Sequence, residues 1–167
     1  MKVIAVFDDK DYDENWSRFT RRAVRAVIIK NNRIALVKCE KEGYYKFPGG
    51  GIKNGESHLE TLIRETSEET GLQIIPDSIK ELGMIHEIRK SHYPREIFDQ
   101  KSYYYFAEVE KEKGNAHPEQ YEIDLGFKLE WTELDTAYKT NICLGKNYQE
   151  KFILREAEVL KLLLNKR

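Results

Sequence analysis

Glu65, Glu68 and Glu69 are the residues of this 167-residue chain whose type and spacing can do chemistry. They lie in a segment with helical apolar periodicity, and at about 100° per residue the i, i+3, i+4 pattern gathers three carboxylates beside the core stripe. Each like-charge neighbour costs a few tenths of a kcal/mol in an isolated helix. Arg64 can lean toward Glu68, but one guanidinium leaves an excess of negative charge. A solvated acidic face is one reading; the other is a bound divalent cation, since hard cations take carboxylate, carbonyl and water oxygens. The loop ahead of the helix, Pro48-Gly49-Gly50-Gly51-Ile52-Lys53-Asn54-Gly55-Glu56, weighs on the choice. Three successive glycines let backbone approach a ligand with no Cβ in the way.

The elements that must position these groups are legible in outline. The spacing predicts a helix over 58–70, opened by a Ser57/Glu60 capping box and closed by Gly71, with Leu59, Leu62, Ile63, Thr66 and Thr70 as its core stripe. Ala23–Lys30 and Arg33–Cys39 are rich in β-branched and aliphatic residues and read as a hairpin turned at Asn31-Asn32 and buried largely on both faces. Gly83–Arg89 and Ser102–Val109 are strand-like, with polar loops over 8–17 and 90–101. A strand ending near Trp131 leads into a short helix capped through Thr132-x-x-Asp135. A last amphipathic helix from about Tyr148 to Leu164 presents Ile153, Ala157, Leu160 and Leu164 to a sheet, a structural role.

Length fits one domain covering residues 1–167 with a core large enough to need no disulfide. With 28 Lys and Arg against 29 Asp and Glu, the net charge of −1 gives no basic excess to attract a phosphate backbone in bulk. Apolar runs such as Ala26-Val27-Ile28-Ile29 fall far short of the ~20 residues that span a bilayer. Val3–Phe7 is too short for a signal-peptide core, so a cytoplasmic protein without membrane association is expected. Cys39 and Cys143 lack metal spacing and read as reduced thiols; His58, His86, His92 and His117 lack zinc-ligand spacing.

From Gly50 through Glu56, Arg64, Glu65, Glu68, Glu69, Gly71 and Leu72 the chain resembles the Nudix box, G-x5-E-x7-R-E-U-x-E-E-x-G-U, where U is a bulky aliphatic residue. Seven fixed residue types at about 7% usage each make a chance match on the order of one in a million. Thr66 stands where the first U belongs, a departure on the core side of the helix. The resemblance implies the α+β Nudix fold, a mixed β-sheet sandwiched between α-helices (α/β/α), with the box at 50–72 forming loop, helix and loop.

It also implies a metal-dependent pyrophosphohydrolase that cleaves a nucleoside diphosphate-linked substrate with Mg2+ or Mn2+. By the same resemblance the Gly50 carbonyl, Glu65, Glu68 and Glu69 are metal ligands, and Glu56 orients Arg64 and holds the loop against the helix. The residue that removes the proton from water stays open among Glu69, Glu65 and a Glu from a distant loop; Glu119 and Glu122 in the polar stretch 115–124 offer that role, with Glu122 preferred. Arg21, Arg22 and Arg25 can reach phosphates, and Tyr45 and Phe47, beside Tyr44, can stack on a base. The expected partner is a small nucleotide or related diphosphate, and a homodimer is compatible with the resemblance. The competing reading is a non-catalytic Nudix-fold nucleotide sensor, which would usually have lost the carboxylates that this chain keeps. An isoprenoid isomerase would need a cysteine shortly after the Pro-Gly turn, where there is none.

Overall fold

The computed structural model describes residues 1–146 and 151–166. Asn31 and Asn32 take φ of 50° and 60°, the left-handed region that asparagine tolerates, and turn β3 (Ile29–Lys30) back onto β4 (Arg33–Cys39). The strand ahead of this turn is not one piece. β2 (Ser17–Val27) starts well before Ala23, stops at Val27 and belongs to a different sheet from β3.

The first sheet runs β1 (Val3–Asp8), β6 (Lys80–Lys90), β7 (Glu96–Phe106), β2. Its outer pairs are parallel and its central pair antiparallel. The second sheet has β4 at its centre, bordered by β3, by β5 (Tyr45–Lys46) and by β8 (Phe127–Thr132), which is antiparallel to β4. The first sheet is the mixed sheet expected, and a second, antiparallel sheet accompanies it.

Alternation along the strands explains why both sheet faces carry helices. Val24, Ala26, Ile28, Ala35 and Tyr105 form one core with Leu62 of α1 (His58–Thr70). Val27, Ile34, Leu36 and Tyr104 form another with Leu134 and Ala137 of α3 (Leu134–Gly145) and Val159, Leu160 and Leu163 of α4 (Phe152–Leu164). A six-residue helix, α2 (Gln120–Leu125), precedes β8. This is the α+β arrangement with helices on either side.

Other boundaries differ from expectation. Most of the loop predicted over 90–101 is strand, leaving a turn only around 91–95, because the polar first half of β7 pairs in register with the polar first half of β2. Glu119–Asp124, read as loop, is largely α2. α3 is 12 residues long, and Thr132 ends β8 instead of capping it; Glu133 holds the cap position without a side-chain bond. α4 begins at Phe152, and the predicted start at Tyr148 lies outside the described residues. No helix among the described residues is long and apolar enough to cross a membrane.

Candidate active site

α1 forms over the predicted residues. The Ser57 hydroxyl accepts from Glu60 N–H, the Glu60 carboxylate accepts from Ser57 N–H, and Gly71 ends the helix at φ 74°. Leu62, Thr66 and Thr70 of the expected stripe are buried and Ile63 packs on the core, but Leu59 is exposed, and Thr61 and Glu69 are buried as well. The glycine-rich loop is the cause, since it covers this flank and supplies polar partners. Thr61 Oγ1 donates to Glu56, and Gly49 N–H donates to Glu69 Oε2 at 2.8 Å.

The loop is laid along β2. Val24 N–H donates to Gly50 O at 3.0 Å and Ala26 N–H to Pro48 O at 2.8 Å, with a bridge between Ala23 and Gly51. Gly49 sits at φ 134°, where a Cβ would run into the Val24 carbonyl; a Cβ on Gly50 would run into the Glu65 carboxylate. Gly49 requires glycine, because its φ and the Val24 backbone leave no place for a Cβ, whereas at Gly50 it is the Glu65 carboxylate that occupies that place.

Arg64 organises the outer carboxylates. Its guanidinium meets Glu56 through two parallel bonds of 2.8 Å and also reaches Glu65 at 2.7 Å and Glu68 at 2.9 Å. Arg64, the Thr61 hydroxyl and the Lys53 amide hold the Glu56 carboxyl down at about 2. The inner carboxylates are organised by Lys46, whose ammonium lies 2.7 Å from Glu69 and 3.5 Å from Glu122. Burial pushes the Glu69 carboxyl up to about 7 against the opposing pull of Lys46, Arg25 and the Gly49 amide.

A long connection brings Glu122 here. The last carbonyls of α1 have no partners within the helix. The segment after β7 satisfies them, with Gly114 N–H on Gly71 O at 2.9 Å and His117 N–H on Glu68 O at 2.7 Å. α2 then starts opposite the acidic face, and Glu122, 3% exposed, accepts from Glu119 N–H and from the Tyr121 hydroxyl. The resulting cavity of about 260 Å3 contains Glu65, Glu68, Glu69, Glu122, the Gly49–Gly51 backbone, Arg21 and Arg25.

The structure does not bring Tyr45 or Phe47 into that space, which corrects their assignment as stacking residues. Phe47 is fully buried, edge-on against Tyr104, and Tyr45 is 4% exposed with its hydroxyl donating to Glu130. Tyr44 is likewise buried, against Phe127 and Phe152. Arg22 points elsewhere, to His58 and over the Tyr103 ring. Arg25 is buried and donates to Gly49 O. Lys46 was missed by sequence reasoning, although a lysine inside the apolar run Tyr44–Phe47 was a signal that its strand has a polar task.

Five carboxylates, Glu56, Glu65, Glu68, Glu69 and Glu122, thus share two directly bonded cations, Arg64 and Lys46. Among the described residues no three acidic, His or Cys side chains stand close enough together to hold a metal ion as they are. The donors are nonetheless oxygens of the kind a hard cation takes, in charge excess, with the Glu65 carboxylate against the Gly50 Cα.

Comparison with known proteins settles the family. The NUDIX domain matches residues 19–152. The chain belongs to the Nudix family. Among curated Nudix relatives, the 8-oxo-dGTP diphosphatase of Buchnera aphidicola is 43% identical over 56 residues, 31% of this chain and 43% of that protein. The ADP-ribose pyrophosphatase of Methanocaldococcus jannaschii is 42% identical over 53 residues, 30% of this chain and 31% of that one. The match spans less than half the length of these curated relatives. A NUDIX hydrolase from Nitrosomonas europaea superposes with a TM-score of 0.61 at 17% identity, covering 89% of this chain and 92% of its own. A MutT NUDIX hydrolase from Burkholderia pseudomallei gives 0.51 at 21% identity over 70% of this chain and 85% of its own. Both show the Nudix fold.

Proposed function

We propose that this Nudix protein is a divalent-cation-dependent pyrophosphohydrolase that cleaves a nucleoside diphosphate-linked substrate by attack of water on phosphorus. The observation that carries the reading is the acidic face of α1, where five carboxylates share Arg64 and Lys46 beside the Gly50 cradle. Glu65, Glu68, Glu69 and the Gly50 carbonyl would hold Mg2+ or Mn2+, which when bound neutralises phosphate oxygens and makes water more acidic. Glu56 and Arg64 do the positioning, since their paired bonds tie the loop to the helix. The proton acceptor is one of Glu65, Glu69 and Glu122, which line a single cavity. Lys46 lies between Glu69 and Glu122, 2.7 Å from one and 3.5 Å from the other.

The names of the curated relatives set the substrate panel: oxidised and normal nucleoside triphosphates, ADP-ribose and other nucleotide sugars, and dinucleoside polyphosphates. Product release is measured with Mg2+, with Mn2+ and with chelator. Turnover that needs the cation and is largely lost in Glu65→Gln and Glu68→Gln, at unchanged melting temperature, is the expected result. Full turnover in both variants, or in chelator, overturns the metal assignment, and silence across the panel overturns the activity. Glu69→Gln and Glu122→Gln then identify the acceptor through the loss of the acidic limb of the pH–rate profile.

A further inference from the structure

Away from the acidic cleft, a cavity of about 330 Å3 opens at the tip of the β3–β4 hairpin, and it shares no lining residue with that cleft. Its rim carries Lys30, Arg33, Lys111 and Lys113 against the single carboxylate of Glu110. Four cations around one acid run against the balance of a chain in which acids outnumber bases, 29 to 28. None of the four makes an ion pair among the described residues. Lys30 and Arg33 are direct cross-strand partners, held opposite one another by the left-handed turn at Asn31 and Asn32. Like charges placed that way destabilise a strand pair. Lys111 and Lys113 sit on a segment whose backbone is tied down: Val109 bridges Ile74, Glu110 N–H donates to Gln73 O at 2.9 Å and Gly114 N–H to Gly71 O at 2.9 Å. An anion that neutralised this rim would meet a backbone already in place, with little ordering left to do.

The floor of the cavity says what the anion is attached to. Leu72, Val109 and Trp131 line it, and all three belong to the core that packs on α1. Trp131 is only half-buried, so its indole is part of the core and of the cavity wall at once. Inorganic polyphosphate would satisfy the rim and leave this apolar floor unused. A flat heterocycle carrying several phosphates uses both, since the ring stacks on the indole while ammonium and guanidinium groups take the phosphate oxygens. The volume lies within the range of small-molecule sites.

We propose that this cavity is a nucleotide site separate from the acidic cleft: a nucleoside polyphosphate stacks its base on Trp131 and lays its phosphates on Lys30, Arg33, Lys111 and Lys113, without a metal ion. The site does not rest on the function proposed above.

The chain has two tryptophans, Trp16 and Trp131, and neither lines the acidic cavity, which makes indole fluorescence a local reporter. The test is a fluorescence titration in chelator with ATP, GTP, CTP and UTP, beside tripolyphosphate and the free nucleosides. At least one triphosphate is expected to quench saturably in wild type and in Trp16→Phe but not in Trp131→Phe; whichever of the two variants folds assigns the signal. The matching nucleoside is expected to bind about tenfold or more weakly, and tripolyphosphate to compete only at about tenfold or more higher concentration. Replacing both Arg33→Gln and Lys113→Gln, at exposed positions, is expected to weaken the triphosphate by about tenfold, and Glu68→Gln to leave its binding unchanged. Absence of saturable quenching by every triphosphate, quenching that persists without Trp131, indifference to the Arg33→Gln and Lys113→Gln pair, sensitivity to Glu68→Gln, or equal competition by tripolyphosphate each overturns the site. Hydrolysis without this quenching removes the site and leaves the proposed function; quenching without hydrolysis does the reverse.

Discussion

Thr66 shows how a single side chain records the difference between a motif and a packed helix. Its position in the box calls for an aliphatic residue, it is fully buried, and its hydroxyl has no hydrogen-bond partner. A buried hydroxyl left unpaired costs about 1–3 kcal/mol, whereas the shape of valine fits the same space. Thr66→Val is therefore expected to stabilise the protein by ~1 kcal/mol, raising the melting temperature by about 2–4 °C, with turnover unchanged. A lower melting temperature would show that the hydroxyl is satisfied in solution. This residue was legible in the sequence because the motif gave a type to compare it with. Lys46, Tyr45 and Phe47 were not. The partners of Tyr45 and Phe47 are Asn141, Glu130 and Glu156, 85 or more positions away, those of Lys46 are Glu69 and Glu122, 23 and 76 away, and only the folded register decides that Lys46 meets Glu69 while the two aromatics turn into the core.

At the scale of elements, the capping box, Gly71 and the acidic spacing of α1 are local signals, and all formed where the sequence put them. The buried flank of α1 extends beyond the apolar stripe because the loop just ahead of the helix, tied down by Glu56, folds back to supply partners for Thr61 and Arg64. That tie gives the protein a pH dependence. The Glu56 carboxyl sits at about 2 in the fold against an ordinary 4.5, so the folded protein binds fewer protons than the unfolded chain in that interval. Its stabilisation is complete above the unfolded value and disappears as pH falls from about 4.5 toward 2. Melting curves between pH 6 and 2 in cation-free buffer should thus fall less steeply for Glu56→Gln than for wild type. The same variant should lose roughly 10 to 100-fold in turnover, since Arg64 would no longer be held. Parallel melting curves for the two proteins would show that the clamp adds nothing to stability. The strand boundaries failed for a related reason: β2 and β7 continue through polar residues because each is the other's partner, and Arg21 meets Gln100 across that seam.

Across the whole molecule, the two C-terminal helices do more than cover a sheet. Asn141 of α3, fully buried, grips the Tyr45 backbone from both sides, accepting from its N–H at 2.9 Å and donating to its carbonyl at 2.8 Å. Glu156 of α4, also fully buried, accepts from Phe47 N–H at 2.9 Å and from the Tyr104 hydroxyl at 3.1 Å. Residues on either side of Lys46 are thereby fixed, just ahead of Pro48 and the glycine loop. Arg155 neutralises Glu156 from the same helix and reaches Glu87 in β6, which ties α4 to the first sheet as well. The apolar repeat of α4 announced its packing, but not that two charged residues beside the stripe are interior, because their partners lie on β6, on β7 and at Phe47 just past β5. Arg155→Met leaves Glu156 buried without its guanidinium partner, while Glu87 keeps Arg89 at 2.9 Å, and breaking a buried pair such as Arg155–Glu156 costs about 3–5 kcal/mol. Glu156→Gln, which still offers an oxygen to Phe47 and Tyr104, should cost less than Glu156→Ala. If the network also positions the site, Glu156→Ala should lower kcat at temperatures well below its own melting point, while Glu156→Gln keeps most of it. Denaturant titration gives the first pair of differences and turnover gives the second. Loss of stability in Glu156→Ala with kcat intact would mean that the helix holds the fold without holding Lys46.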